Sequence, residues 1–281
     1  MSTLRTVKEL IQPQTVIEGA GVRLRRAFGP TIENPLDPFL LFDNFAFNDP
    51  VEGPIAGFPN HPHRGIETVT YMLSGSVRHR DSLGNTGVIG PGDVQWMTSG
   101  RGIMHEEMPR RDPDGEVFGF QLWVNLPAAE KMSAPRYQEI HAGTIPTLER
   151  DGALIRVIAG QVEDVKGPVA EIAARPLYLD VTLQPAAHFA HTLPETHTAA
   201  AYLFEGEAVF ADTSVPSVSM AILSDGTRIE ATASSHTSAR FLLFAGAAFG
   251  EPIVPYGPFV MNTREEIRQA LSDLRNGTFV S

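Results

Sequence analysis

Two pairs of metal-ligating residue types bracket one stretch of this chain, His61 and His63 near its start and His105 and Glu107 near its end. Residues at i and i+2 of an extended strand project from the same face, so each pair aims two ligands into one space. The segment between them, IETVTYMLSGSVRHRDSLGNTGVIGPGDVQWMTSGRGI, is rich in β-branched residues and broken by Ser-Gly, Gly-Asn and Pro-Gly turn dipeptides. Such a segment folds back as antiparallel hairpins, which lets the two pairs meet. Imidazole nitrogens and a carboxylate oxygen suit a divalent first-row metal. The chain has no cysteine, which excludes disulfides, blue-copper sites and thiolate-held iron–sulfur clusters and fits a reducing compartment.

The same strand grammar runs through the rest of the chain. Val22, Leu24 and Phe28 alternate with Arg23 and Arg25, which predicts a strand with Arg23, Arg25 and Arg26 on a solvated face. Residues 40–47 form a second run, broken by Asn48-Asp49-Pro50 and Gly53-Pro54. Residues 67–73 and 77–80 read as a hairpin about Ser74-Gly75-Ser76, and Gly90-Pro91-Gly92-Asp93 as another turn. In residues 117–126, Phe118, Phe120, Leu122, Val124 and Leu126 fall on one face. So many short strands at regular turn spacing predict an all-β sandwich or barrel.

Residues 127–135, PAAEKMSAP, carry no strand pattern and mark the expected boundary between domains 1–134 and 135–281. Strand-like runs resume at 154–159, 177–183, 200–209 and 240–248. Tyr71-Met72-Leu73-Ser74-Gly75 matches Tyr202-Leu203-Phe204-Glu205-Gly206, so the second half reads as a degenerate repeat. On that alignment His61 and His63 map to Thr192 and Pro194, and the ligands are missing. A helix closes the chain. Thr263 and Glu266 form a capping box, Ile267, Ala270, Leu271 and Leu274 share one face, and Gly277 suits the C′ position.

The 281 residues are 42% hydrophobic and 20% charged, an ordinary globular composition, with a net charge of −11. Neither side of Pro135 is basic, so the chain offers no electrostatic footprint for a phosphate backbone, and direct nucleic-acid binding is not expected. The N-terminal residues lack a signal-type apolar run, and the longest apolar stretch, 241–249, is too short to span a bilayer. The reading is a cytoplasmic protein with no membrane role.

The segments HPHRGIETVTYMLSG, GPGDVQWMTSGRGIMHEEMP, WVNLPAAEKM, PRYQ and YGPFVMNTREEI resemble the pirin family of the cupin superfamily over most of the chain. The resemblance implies two tandem cupin β-barrels (a bicupin) with a short C-terminal α-helix. Cupins hold a metal within the barrel through a His-x-His pair and a further His some forty residues on; His105 follows His63 by 42 residues. Most cupins place a glutamate five residues after the second histidine, where this chain has Thr68. Pirins instead take the carboxylate from the second motif, which assigns His61, His63, His105 and Glu107 as ligands of one metal ion per chain. The family implies iron (Fe2+), while the ligand types alone would also accept manganese, cobalt, nickel, copper or zinc. Four ligands on an octahedral ion leave two positions open. Glu106 is expected to face away, and Glu67 to hydrogen-bond with Arg64 or Arg101.

Two functions follow from the resemblance. The first is a quercetin (flavonol) 2,3-dioxygenase, which opens an aromatic enol substrate with O2 and releases carbon monoxide, Glu107 taking the hydroxyl proton. The second is a non-catalytic, iron-dependent redox-sensing regulator that binds partner proteins, either transcription factors or metabolic enzymes. An enclosed apolar pocket beside the metal would favour the enzyme, and an exposed patch the regulator. Among the remaining histidines, His188, His191 and His197 with Glu195 have irregular spacing, and His79, between two arginines, is expected on the surface. Trp96, Met97, Met104, Phe118 and Phe120 are expected in the core. The glycine-rich residues 84–92 lack the Lys-Ser/Thr of a phosphate loop and read as turns.

Overall fold

The computed structural model describes residues 3–47 and 57–280, so the expected breaks at Asn48-Asp49-Pro50 and Gly53-Pro54 lie outside the described residues. The alternating runs are strands: Val22–Phe28, Phe39–Phe47, Ile66–Ser74, Ser76–Asp81 and Val117–Asn125. Two further strands, Val7–Ile11 and Gln14–Glu18, precede these. Every pairing between these strands is antiparallel.

The chain forms two compact units. One comprises Gln14–Ala142 with Phe249–Ser281, the other Met1–Pro13 with Gly143–Ala248. This differs from a cut at 134/135. Arg136–Ile140 hydrogen-bonds along Val94–Thr98 and closes the edge of a sheet in the first unit. Val7–Ile11 does the same along Ser219–Leu223 in the second. The composition break at 127–135 lies inside the first unit, and the chain crosses over at 142/143. Edge-strand pairing, a non-local property, assigns each terminal segment to its unit.

The two units repeat one plan, a seven-stranded and a four-stranded sheet each. In the first, the larger sheet runs Arg136–Ile140, Val94–Thr98, Ile66–Ser74, Val117–Asn125, Phe39–Phe47, Val22–Phe28, Gln14–Glu18. Its smaller sheet runs Phe58–His63, Ile103–Arg110, Ser76–Asp81, Thr86–Ile89. In the second unit the order recurs, with His197–Glu205 in the place of Ile66–Ser74 and His188–Thr192 in the place of Phe58–His63. This is the architecture of two cupin barrels.

The interiors differ. The second is filled by one apolar cluster that includes Phe189, Phe210, Ile229, Ala231 and Phe241. Phe241 packs edge-on against Phe189 and Phe210, at 5.9 and 5.1 Å between ring centroids. Thr192 and Pro194 lie exposed. The first interior has an apolar cluster of Val22, Leu24, Phe45, Met72, Val77, Ile89 and Val117, and it also buries polar side chains, among them His63, Thr70, His79, His105 and Glu107.

The C-terminal helix, Arg264–Asn276, has its capping box formed by Thr263 and Glu266, and Gly277 follows in the left-handed conformation at φ 71°. It buries Ile267 and Ala270 in a cluster with Phe259, Met261 and Phe279, and Leu274 sits at the rim of that face. No helix among the described residues is long and apolar enough to cross a membrane.

Candidate metal centre

The strand Phe58–His63 pairs with Ile103–Arg110, which sets His61 opposite His105 and His63 opposite Ile103. The register shifts between His105 and Glu107, a bulge of the kind that re-aims side chains. The three imidazoles converge. Ring centroids lie 4.3 Å apart for His61 and His105, 4.9 Å for His61 and His63, and 5.0 Å for His63 and His105. Their ligand atoms lie within 4.8 Å of one another.

Hydrogen bonding sets the ring tautomers. His61 Nδ1 donates to the Pro59 carbonyl at 2.9 Å and His63 Nδ1 to the Pro258 carbonyl at 3.3 Å. Both Nε2 atoms therefore present lone pairs, and they face each other at 3.1 Å. Two opposed lone pairs require a cation between them. Burial, then the neighbouring imidazoles, push His63 and His105 well below the usual histidine range, so a proton is a costly choice. Both ring nitrogens of His105 are buried with no hydrogen-bond partner among the described residues. Neutral, inward-facing imidazoles with free lone pairs fit a divalent metal ion.

Glu107 stands beside this group. Its Oε1 accepts from Thr70 Oγ1 at 3.0 Å and its Oε2 from Gln121 Nε2 at 3.3 Å. It forms a second close set with His105 and His79, again within 4.8 Å. Of the four predicted ligands, the structure thus gathers the three histidines tightly and places Glu107 next to them through the shared His105.

His79 is not on the surface. It is fully buried, stacks on Tyr137 at 4.8 Å and contacts the Asp81 carboxylate through Nε2 at 3.3 Å. Val77, His79 and Asp81 share strand parity and point inward, while Arg78 and Arg80 point out. That alternation was readable from the sequence. Glu106 faces outward as expected, 3.6 Å from Arg78 and 3.8 Å from Arg80. Glu67 has different partners from those expected. It accepts from Trp96 Nε1 and Thr98 Oγ1, and burial pushes its carboxyl up to about 7. Arg26 also departs from expectation: it shares parity with Val22 and Leu24, turns inward, and pairs with Asp43 and Glu18. Among the second-unit histidines, His188 is exposed and no set close enough to hold an ion occurs among the described residues.

A cavity of about 490 Å³ opens onto the histidines. Its lining combines His61, His63, Glu107 and Gln121, the apolar Leu24, Leu41, Phe58, Trp123 and Pro258, and the charged Glu18, Arg26 and Asp43. Trp123 stands edge-on to His63 at 5.2 Å. The expected apolar face of Val117–Asn125 holds for Phe120, Leu122 and Val124, which are buried, and it is the opposite face, Gln121 and Trp123, that lines the cavity.

Two barrels on one plan, one holding a histidine cluster and the other filled by apolar side chains, define a bicupin with one candidate metal centre among the described residues. The family model for pirin matches residues 21–124 and that for the pirin C-terminal cupin domain residues 178–280, and the chain belongs to the pirin family. It is 45% identical to a pirin-like protein of Caulobacter vibrioides, over 98% of this chain and 99% of that one. It is 44% identical, over 99% of both, to a Pseudomonas aeruginosa protein provisionally named quercetin 2,3-dioxygenase. A crystal structure of quercetin 2,3-dioxygenase from Acinetobacter baumannii superposes with a TM-score of 0.88 at 37% identity, covering 99% of each chain.

Proposed function

We propose that this chain is a cytoplasmic, metal-dependent dioxygenase of quercetin (flavonol) type, with iron held by His61, His63, His105 and Glu107. The cavity carries this reading: its lining sets apolar and aromatic side chains beside a few polar groups and reaches the histidines directly, which suits a flat aromatic substrate. Relatives named for quercetin dioxygenation support it. Imidazole and carboxylate donors without thiolate suit non-haem iron, which supplies Lewis acidity and one-electron chemistry toward O2.

The protein's own groups divide the remaining work. The histidines hold the ion. Thr70 and Gln121 fix the Glu107 carboxylate in the cavity lining, where it takes the proton of the substrate hydroxyl. Trp123 and Phe58 offer aromatic surface to a flat substrate. The regulatory alternative needs the metal face presented to a partner protein. His63 and His105 are buried, which favours the enzyme.

The test is metal analysis of protein purified without added metal, followed by quercetin turnover with carbon monoxide detection. We expect iron to predominate and carbon monoxide to match quercetin consumed. Iron-loaded protein that leaves quercetin intact under O2 would refute the activity.

A further inference from the structure

An ion-pair cluster in the cavity wall is left unexplained by the metal centre. Asp43 is buried, and Arg26 grips it with both arms of its fork, Nε to Oδ1 and Nη2 to Oδ2, each at 2.8 Å. Arg26 Nη1 donates to Glu18 Oε1 at 2.8 Å. All three residues line the cavity that contains His61, His63 and Glu107. An exposed ion pair contributes little to stability, and Glu18 is 43% exposed. A charged group in the wall of an otherwise apolar pocket serves better to orient a ligand.

Register ties this cluster to the reacting end. Arg26 pairs with Asp43, Asp43 with Gln121, and Gln121 with Thr70, a row across four adjacent strands. Gln121 and Thr70 hold Glu107. Arg26 therefore stands two strands from Gln121, about 10 Å at the usual strand spacing. That is the span of a three-ring flavonoid anchored at one end. Asp43 has both oxygens taken by Arg26. Glu18 has its Oε2 without a hydrogen-bond partner among the described residues, and two of the five Arg26 N–H groups are likewise uncommitted. The cluster carries two carboxylates against one guanidinium, so it disfavours an anionic group and favours neutral hydroxyl donors.

We infer that Glu18 and Arg26, braced by Asp43, form a distal subsite that selects flavonol-type substrates bearing vicinal hydroxyls on the ring remote from the metal. This rests on the dioxygenase reading and extends it to specificity. A carboxylate accepts from both hydroxyls of a catechol, and a site built to hydrogen-bond a hydroxyl rejects the analogue that lacks it.

The experiment measures binding of quercetin and of galangin, which lacks both remote-ring hydroxyls, to metal-loaded protein under anaerobic conditions. Tryptophan fluorescence gives both dissociation constants without turnover. Wild type is expected to bind quercetin about tenfold more tightly than galangin. Glu18→Ala should bring the ratio near one while leaving metal content unchanged, and Glu18→Gln, which keeps the shape and the Arg26–Asp43 pair, should lower the ratio in the same direction should Glu18→Ala fold poorly. A preference that persists in both variants places catechol recognition elsewhere, for instance at the metal, and overturns the subsite. Equal binding by wild type overturns the subsite and leaves the dioxygenase reading standing. Binding of neither flavonol overturns that reading and the subsite with it.

Discussion

Glu107 is bonded by Thr70 and Gln121 and reaches the three-histidine set only through His105, which belongs to both close sets, so its role differs from that of the histidines. Three imidazoles converge without it, and we expect them to retain an ion. Glu107→Gln keeps the side-chain shape and both hydrogen-bonding neighbours but removes the charge and the basicity. We expect this variant to keep its metal and lose flavonol turnover by about a hundredfold or more. Bound metal and turnover should be measured together, across pH. Loss of metal with activity restored by excess metal would make Glu107 a structural ligand instead. Metal-loaded variant turning over like wild type would remove the base role altogether. The same scale shows what parity can reveal: His79 and Arg26 each sit on the inward register of a strand whose apolar members were recognised. Both were misread because charged neighbours outweighed the alternation.

The element that steadies the centre comes from the far end of the chain. The hairpin Val254–Tyr256 with Phe259–Met261 and the helix after it back the segment His63–Gly65. Pro258 accepts from His63, as ligand histidines commonly require of their second nitrogen. Arg64, buried, pairs with Asp273 at 2.7 Å and lies 4.4 Å above the Phe279 ring. Lys131 donates to the carbonyls of Gly65 and Val260, at 2.8 and 2.7 Å, and to Asn125 Oδ1 at 2.7 Å, and so ties that hairpin to Gly65. At Gly65, φ is +78° and an added Cβ would lie 2.3 Å from the Val260 carbonyl, so glycine is required there. Asp273→Asn leaves a buried guanidinium without its anion. Because Asp273 is partly exposed, we expect a loss of about 1–3 kcal/mol in urea unfolding of the metal-free protein. Metal affinity should fall with it, since His63 adjoins Arg64. Unchanged unfolding and unchanged metal affinity would show that the helix merely covers the barrel.

On the scale of the molecule, one barrel gathers a histidine cluster that could hold an ion, and the other fills its interior with apolar side chains. The second is filled by apolar side chains, so its fold owes nothing to metal. The first has extensive strand pairing and its own apolar cluster, unlike a small metal-dependent domain. We therefore expect chelation to leave the circular dichroism spectrum folded, while metal raises the melting temperature by binding the native state preferentially. One equivalent of metal per chain should survive gel filtration. Two equivalents, or full occupancy after His61→Ala with His63→Ala, would contradict the single-centre architecture, as would an unfolded spectrum after chelation.

The strands, the repeat and the His61, His63, His105 cluster were legible because each rests on local rules. Period-two alternation sets a strand's faces, turn dipeptides end it, and an i, i+2 pair shares a face wherever the strand goes. The capping box at Thr263 and Glu266 is local for the same reason. What tertiary structure alone decided was non-local. Which edge Val7–Ile11 and Arg136–Ile140 would complete depends on hydrogen-bonding groups left open by strands distant in sequence. The partners of Glu67, the inward turn of Arg26 onto Asp43, and the lining of the cavity by Trp123 depend on which sheets face each other. A sequence states which side of a strand a residue occupies. Only the closed barrel states what stands across from it.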